Sequence, residues 1–562
     1  MNETSREIIV TMKNQPWPEP HGWFTIAMPR VSAQSIMENG WRFSKKPTIK
    51  VQQGMDWLSP GKEDRSWGFH LHTWEMMDAV LGEFATTRDE ALLNWMLDIA
   101  DDWAQFEKSD STDGSMIWYD MSLSLRMARL ARLMIYASHL GLDRRVEALL
   151  PAAERHIEEM FKPEAFNSGN NHGFYAAASS LDWARLLPQF PRSSELAALG
   201  EERLKDIASR QFAPDGGHQE HSPGYHRMLL KSFETGLNDG IIEDPTVQAT
   251  VENATDVLGW WIQPDGYFVQ FGDTDHQSAD QMKLSSSNEQ SQFIITNGHE
   301  GKPSSEELRV LPDAGYAMIR SPQPAGPDER INSSYLALQA AFHSRAHKHA
   351  DDLTFVWFDR GVEILVDSGR FGYVDLLPAD SPDRLKGFYY AAPERQYVES
   401  TVAHNTVSVN GEDIERRFRT PYGSALKSWS HENGIFRIEA EADCKTYTHH
   451  RVITLSPRQF LIVEDSLSGL APGDEAIAWF NLNGEAQRVA GQDNELQFLL
   501  PGQAGYLTVE GDQEVVTPVR GQQEPLRGWR AKRERSFEPI WNLGFKLDAS
   551  NPALRTEWKL SK

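Results

Sequence analysis

A change of hydrophobic period partway along the chain limits its fold more than any other feature. From about residue 70 to 262 apolar side chains recur at helical spacing, and beyond about 310 they sit in short runs separated by turn residues. In the first region Leu123, Met127, Leu130, Met134 and Ala137 fall on one stripe and Arg126, Arg129 and Arg132 lie off it, which predicts an amphipathic helix facing a core. Helical stretches are also expected at 72–84, 89–107, 144–160, 171–187, 194–211, 223–237 and 246–262. Their short connections, with no strands between them, imply antiparallel helical hairpins. In the second region 335–342, 354–358, 362–366, 406–409, 436–440, 451–455 and 460–464 read as strands without crossover helices, which predicts a large antiparallel sandwich. The polar stretch 263–310 between the two textures takes the domain boundary, giving an α+β chain with a helical domain at 1–300 and a β domain at 301–562.

At 562 residues the chain exceeds what one core usually holds, and 40% apolar residues with 18 tryptophans supply the material for two. A net charge of −25 argues against nucleic acid or an anionic membrane as partner, since both reward a basic face. The single cysteine, Cys444, excludes an internal disulfide and agrees with a reducing compartment. The segment Met1 to Glu7 has no apolar run of signal-peptide length, and no window approaches ~18 uninterrupted apolar residues. The expected location is therefore cytoplasmic, or periplasmic or secreted if the numbering starts after a removed signal.

Chemistry concentrates in three places. The first is His347, Lys348, His349, Ala350, Asp351, followed by Val366, Asp367, Ser368, Gly369 and then Ala403, His404, Asn405. Imidazole and carboxylate suit a borderline divalent cation, and an extended run from 347 to 351 would put His347, His349 and Asp351 on one face. One imidazole could then bind metal while its neighbour reaches into a cleft. The strand 364–367 ends in an acid that needs a partner, which a cation would supply. Around this motif Arg345, Lys348, Arg370, Arg384, Lys386, Arg395, Arg416, Arg417 and Arg419 are either a solvated loop or a pocket for carboxylates or sulfates.

The second place is Asn170, Asn171, His172 and Gly173 before an apolar helical run, where capping explains the asparagines but not the histidine. The third is the Gly/Pro-interrupted loop 215–226, with His218, Glu220, His221, Tyr225 and His226. Asn, His and Tyr in one region and His in another suit abstraction of a proton α to a carboxylate. Amide and imidazole donors stabilise the enolate-like anion, and Tyr or His moves the proton. In a uronic acid this chemistry acts at C5 and expels the C4 oxygen.

The order Asn171-His172-Gly173, Tyr225 in a Gly-Tyr-His loop, His347-Lys-His349-Ala-Asp-Asp, Asp367-Ser-Gly and His404-Asn resembles the heparinase II/III-like polysaccharide lyases, a superfamily that includes heparin, heparan sulfate and alginate or oligoalginate lyases. The resemblance spans nearly the whole chain and implies an N-terminal incomplete (α/α) toroid followed by an antiparallel β-sandwich. It implies a carbon–oxygen lyase acting on an anionic, uronate-containing poly- or oligosaccharide by β-elimination. Asn171 and His172 would neutralise the uronate carboxylate, and Tyr225 would be the general acid, and the base as well for one epimer. His347 would be the opposing base or a substrate-contacting partner across a domain cleft. His349, Asp367 and His404 would hold one zinc-like, mainly structural ion, while His221, His226, Arg345, Tyr373, Tyr390 and Arg416 would contact substrate. Two rivals stand beside this reading: a glycoside hydrolase using two carboxylates such as Asp215 and Glu220, and a non-catalytic carbohydrate-binding protein of the same architecture.

Overall fold

Helix Asp120–His139 is buried on all sides from Asp120 to Ser138, and its arginines decide how it is held. Expected on an outward face, they point instead into neighbouring elements as buried charges, which persist only when paired. Arg129 donates from Nε and Nη2 to the two oxygens of Asp78, at 2.7 Å each. Arg132 donates to Asp182 Oδ2 at 2.7 Å. Arg126 donates to His156 Nε2 and to the carbonyls of His72 and Ile117 at 2.8, 2.7 and 2.9 Å. Asp78 opens helix Asp78–Thr87 and Asp182 sits on helix His172–Leu186, so the central helix is tied to two others by charge as well as by packing.

The structure, a computed structural model, describes the whole chain apart from residues 1–2, 26–30, 110–111, 170, 379, 387, 493 and 548–551. Asn170 of the expected Asn-Asn-His motif therefore lies outside the described residues. Helices Glu90–Phe106, Asp143–Met160, His172–Leu186, Ser193–Gln211, Pro223–Asn238 and Pro245–Val257 match the predicted stretches to within a few residues and build an incomplete (α/α) toroid. The stretch 72–84 differs. It is split into helix Arg65–His72, a 3-10 turn at Glu75–Met77 and helix Asp78–Thr87. Trp74 adopts φ 66 at the break and stacks edge-on against Trp103 with ring centroids 5.5 Å apart, so burial of an indole outweighs helix continuity. Among the described residues no helix is long and apolar enough to cross a membrane.

Two large antiparallel sheets follow. The first runs in the order Leu308–Leu311, Tyr316–Ser321, Ser334–Gln339, Thr354–Asp359, Val362–Leu365, Ala476–Leu482, Trp541–Leu547, Val515–Arg520, with Val407–Val409 also pairing on Ala476–Leu482. The second runs Gln487–Gln492, Glu495–Leu499, Tyr506–Gly511, Ala553–Ser561, Phe460–Ser468, Thr448–Ser456, Ile435–Asp443, Leu426–Glu432. Strand Ile435–Asp443 alternates strictly, with Phe436, Ile438, Ala440 and Ala442 inward, the period-two pattern of a sheet with one buried face. Those side chains join Leu336, Leu338, Phe355, Trp357, Phe480 and Phe545 of the first sheet in one core, which makes the pair a sandwich. Ser334–Gln339 and Thr354–Asp359 are buried on both faces, since residues 258–262 cover the outer side. Tyr335 donates to the Trp260 carbonyl at 2.6 Å, and Tyr316 packs edge-on against Trp261.

The chain divides into two compact units, residues 1–210 with 231–249, and residues 211–230 with 250–562. The loop that precedes helix Pro223–Asn238, and the first turns of that helix, thus belong with the sandwich, and Tyr225 shares a unit with His347.

Replacing Arg129 by leucine strands the Asp78 carboxylate inside the first unit and is expected to cost about 3–5 kcal/mol. Urea unfolding followed by tryptophan fluorescence measures the loss. Adding Asp78→Leu is expected to recover much of it, and a double variant as unstable as the single one would refute the pairing argument.

Candidate active site

The second unit assembles its site around one loop carboxylate. Asp273 follows the buried run Phe268, Val269, Phe271, and Gly272 at φ 50 turns the chain so tightly that a Cβ there would lie 2.5 Å from the His347 carbonyl and 2.7 Å from that of His221. Only a residue without a side chain permits that approach. Asp273 then sits between two histidines. Its Oδ2 is 3.0 Å from His347 Nδ1, and its Oδ1 is 3.1 Å from His349 Nε2. Tyr373 donates to Oδ2 at 3.0 Å and Arg395 to Oδ1 at 2.5 Å. Burial opposes the negative charge, yet Arg395 and the histidines hold the carboxyl well below the usual range.

The segment 347–351 is not extended, which corrects the reading that its alternate residues share a face. His347 lies in a turn at φ 53, and that turn rather than a strand separates the roles of the two histidines. The His347 ring stacks on the Tyr225 ring with centroids 3.5 Å apart and planes 20° from parallel. Its Nε2 is 3.4 Å from Glu220 Oε2. Burial works against its charge, but the bonds with Asp273 and Glu220 outweigh burial and raise its pKa to about 9. At neutral pH such an imidazole is a positive donor rather than a proton acceptor. Burial also pushes the Tyr225 hydroxyl up to about 12, so it carries its proton. That hydroxyl is 3.1 Å from the Tyr373 hydroxyl, which in turn donates to Asp273.

These groups open on a cavity of about 750 Å³. Of the nine cations noted in the sequence, Arg345, Lys348, Arg395, Arg416 and Arg417 line it. Their availability differs. Lys348 is buried against Asp351 and Asp352, Arg395 pairs with Asp273 and Glu399, and Arg416 pairs with Glu399 at 3.0 Å. The guanidiniums of Arg345 and Arg417 donate to backbone carbonyls, and among the described residues neither guanidinium pairs with a carboxylate. Tyr390 lines the wall too, stacked on Tyr373 with centroids 5.0 Å apart. Exposed Phe418 and Tyr389 stand on the same wall and were not predicted.

His221 and His226 are not on it. Both are fully buried and spent on backbone: His221 Nδ1 on the Ala346 carbonyl at 3.1 Å, its Nε2 on the His343 N–H at 3.0 Å, and His226 Nε2 on the Ala254 carbonyl at 2.9 Å. Their expected contact with substrate gives way to a packing role. Asp215 is also committed: it accepts from the N–H groups of Gly217, Asp313 and Ala314, which removes it as half of a hydrolytic pair.

Behind His347, His349, Asp351 and His404 each present a donor atom, all within 4.8 Å of one another and all buried. His349 Nδ1 and His404 Nε2 have no hydrogen-bond partner, which a buried imidazole rarely tolerates. Two imidazoles and a carboxylate fit a borderline divalent cation. Asp367, expected as the ligand carboxylate, lies 2.8 Å from the other nitrogen of His404, Nδ1, and its Oδ1 accepts from the Gly369 N–H. Asp351 is shared with Lys348 and with Gln339, which donates at 2.8 Å.

In the first unit Asn171 precedes helix His172–Leu186 without capping it through its side chain. His172 Nδ1 is 3.0 Å from Asp120 Oδ2 and 3.3 Å from the Tyr119 hydroxyl. Capping therefore does not explain either residue.

Sequence comparison agrees with the family resemblance. The family model described as "Heparinase II/III N-terminus" matches residues 27–294, and "Heparinase II/III-like, C-terminal" matches 303–548. A heparin-sulfate lyase of Pedobacter heparinus is 23% identical over 331 residues, which is 55% of this chain and 46% of that protein. A heparin-sulfate lyase of Bacteroides thetaiotaomicron is 20% identical over 484 residues, 79% of this chain and 65% of that one. The matches thus span less than two thirds of the length of either relative. Among solved structures, a heparan sulfate lyase from Pedobacter heparinus superposes with TM-score 0.73 at 16% identity, covering 99% of this chain and 87% of the other. A heparinase III superposes at 0.74 and 16%, covering 99% and 88%. At these identities the likeness is one of fold: toroid, then sandwich.

Burial lowers the His226 pKa from 6.5 to about 4. Above 6.5 the group is neutral folded or unfolded. Between 6.5 and about 4 only the unfolded chain takes the proton, so stability is lost as pH falls through that window. In His226→Gln the slope of unfolding free energy against pH is expected to fall by up to ~1.4 kcal/mol per pH unit across it. Urea titrations from pH 4 to 7 test this, and parallel curves for both proteins would refute it.

Proposed function

Since this chain belongs to the heparinase II/III-like superfamily, we propose that it is a glycosaminoglycan lyase that cleaves at uronate residues by β-elimination. The observation that carries the proposal is the Tyr225–His347 stack, in a cavity that offers Arg345 and Arg417 to anionic groups. The curated relatives named as heparin-sulfate lyases support the substrate class.

Elimination requires the C5 proton to leave, its electron pair to form the C4–C5 double bond, and the C4–O bond to break with a proton delivered to the departing oxygen. Tyr225 holds its proton and is suited to that delivery. Where the C5 hydrogen and the leaving oxygen lie on one side of the ring, the same hydroxyl gives its proton to C4–O and receives the one from C5, ending as it began. His347, charged by Asp273 and Glu220, supplies positive charge where the uronate carboxylate becomes enolate-like. Asn171 and His172, in the first unit, are candidates for binding a uronate carboxylate on the resemblance of their sequence motif alone. No nucleophile is required, and with Asp215 committed to backbone the geometry does not favour hydrolysis.

His349, Asp351 and His404 would hold a zinc-like ion, with Asp367 on the second nitrogen of His404. Its contribution is to tie together segments around 349, 367 and 404 that no strand pairing joins directly.

Tyr225→Phe is expected to lower the rate at which 4,5-unsaturated uronate appears, read by its near-ultraviolet absorbance, by about 10²–10⁴-fold with an unchanged circular dichroism spectrum. The panel is heparan sulfate, heparin, chondroitin sulfate, hyaluronan and alginate. Reducing ends without unsaturated product from the wild-type protein would sink elimination. His404→Ala is expected to lose bound transition metal by elemental analysis and to melt at a lower temperature, and equal metal content in both proteins would remove the metal assignment.

A further inference from the structure

A smaller cavity of about 120 Å³ shares Tyr225 and Asp273 with the main one, and these two residues line both spaces. At ~30 Å³ per water it has room for about four waters, enough for one small oxyanion. Its remaining polar wall is Arg227, Arg370, Thr274, Asp275 and Gln277. Arg370 Nε is 2.7 Å from Asp275 Oδ1. Arg227, two residues beyond Tyr225 on helix Pro223–Asn238, is different: among the described residues nothing hydrogen-bonds its guanidinium, although burial already disfavours its charge.

Burial disfavours the charge of this guanidinium and Asp275 offsets only part of that cost, so its donors remain open to an anion. Asp273 is taken by Arg395 and the two histidines, and Asp275 faces Arg370. Two guanidiniums against the one remaining carboxylate leave the recess with net positive charge. Five planar donors per arginine match the oxygens of a sulfate or carboxylate in paired bonds, which a lysine does not reproduce.

We propose that Arg227 and Arg370 form a second oxyanion subsite that holds a sulfate ester of the substrate beside the sugar served by Tyr225. The assignment rests on the lyase reading and makes it specific, because it gives the protein a way to distinguish sulfated from unsulfated chains of one backbone. Asp275 sets the affinity by competing for Arg370. Asp273 connects this recess to the main cavity, so an occupied subsite also fixes the wall against which Tyr225 rests.

The test compares wild type, Arg227→Gln and Arg227→Lys on a sulfated heparan-type oligosaccharide and on its chemically desulfated form, which carries the same uronates. The Gln variant is expected to raise KM at least tenfold for the sulfated substrate with little change in kcat, to leave the desulfated substrate unaffected, and to be partly rescued by Lys. An equal rise for both substrates, or none for either, overturns the proposal. If wild type yields unsaturated product from neither substrate, the lyase reading fails on its own, and titration calorimetry with inorganic sulfate decides the subsite. Loss of one bound sulfate in both Arg227→Gln and Arg370→Gln sustains it, and isotherms equal to wild type overturn it.

Discussion

The candidate site is organised around a carboxylate whose charge is held by its neighbours against burial. Asp273 is buried, and its two oxygens serve two histidines, a tyrosine and an arginine. Each of these bonds is charge-assisted, and in a low-dielectric setting such bonds are stronger and less forgiving of a missing partner than bonds in water. The arrangement sets the proton on His347, aims His349 away from the cavity and holds Tyr373 where its hydroxyl meets that of Tyr225. Gly272 is the steric condition for all of it, because no side chain fits between its Cα and the His347 carbonyl.

Net charge and local charge point in opposite directions here. The chain carries −25 overall, yet its main cavity is walled by arginines. Arg395 and Arg416 are neutralised by Asp273 and Glu399 and serve as scaffold; Arg345 and Arg417 spend their donors on carbonyls, which satisfies geometry without cancelling charge. That division matters for recognition. A buried arginine paired with a carboxylate fixes shape, whereas one held by carbonyls keeps its field for an incoming anion.

The fold was legible because its signal is periodicity, summed over long stretches. The strict alternation of Ile435–Asp443 and the stripe in Asp120–His139 are visible without a structure. What the stripe hid was that the opposite face is buried too: Arg126, Arg129 and Arg132 look like surface residues until their partners, Asp78, Asp182 and His156, arrive from elsewhere in the chain. The site divides the same way. Tyr225, His347, His349 and His404 announced themselves by residue type and motif. Asp273 did not, because it sits in a polar Gly/Asp stretch that reads as a linker, and a carboxylate gains meaning only from what surrounds it. Its sole sequence signal was the run Phe268-Val-Gln-Phe271, apolar but for Gln270, ending in Gly-Asp, a pattern like the strand-then-acid one that drew attention to Asp367. His221 and His226 failed in the opposite sense: a histidine-rich loop suggests chemistry, but two of its rings are spent on backbone carbonyls and an N–H.

The turn at His347 ties the two chemistries of the segment together. Had 347–351 been extended, both histidines would have pointed the same way and competed for one partner or one ion. With His347 at φ 53 they approach Asp273 from different positions, one oxygen each, and only His349 keeps its second nitrogen beside His404. A cation bound by His349 would draw on the lone pair of Nδ1 and fix Nε2 as the donor to Asp273. That leaves the other Asp273 oxygen free to accept from His347 and Tyr373 without choosing between tautomers. An ion held there would act on His347 and Tyr373 through a single shared carboxylate, by deciding where the protons around Asp273 sit.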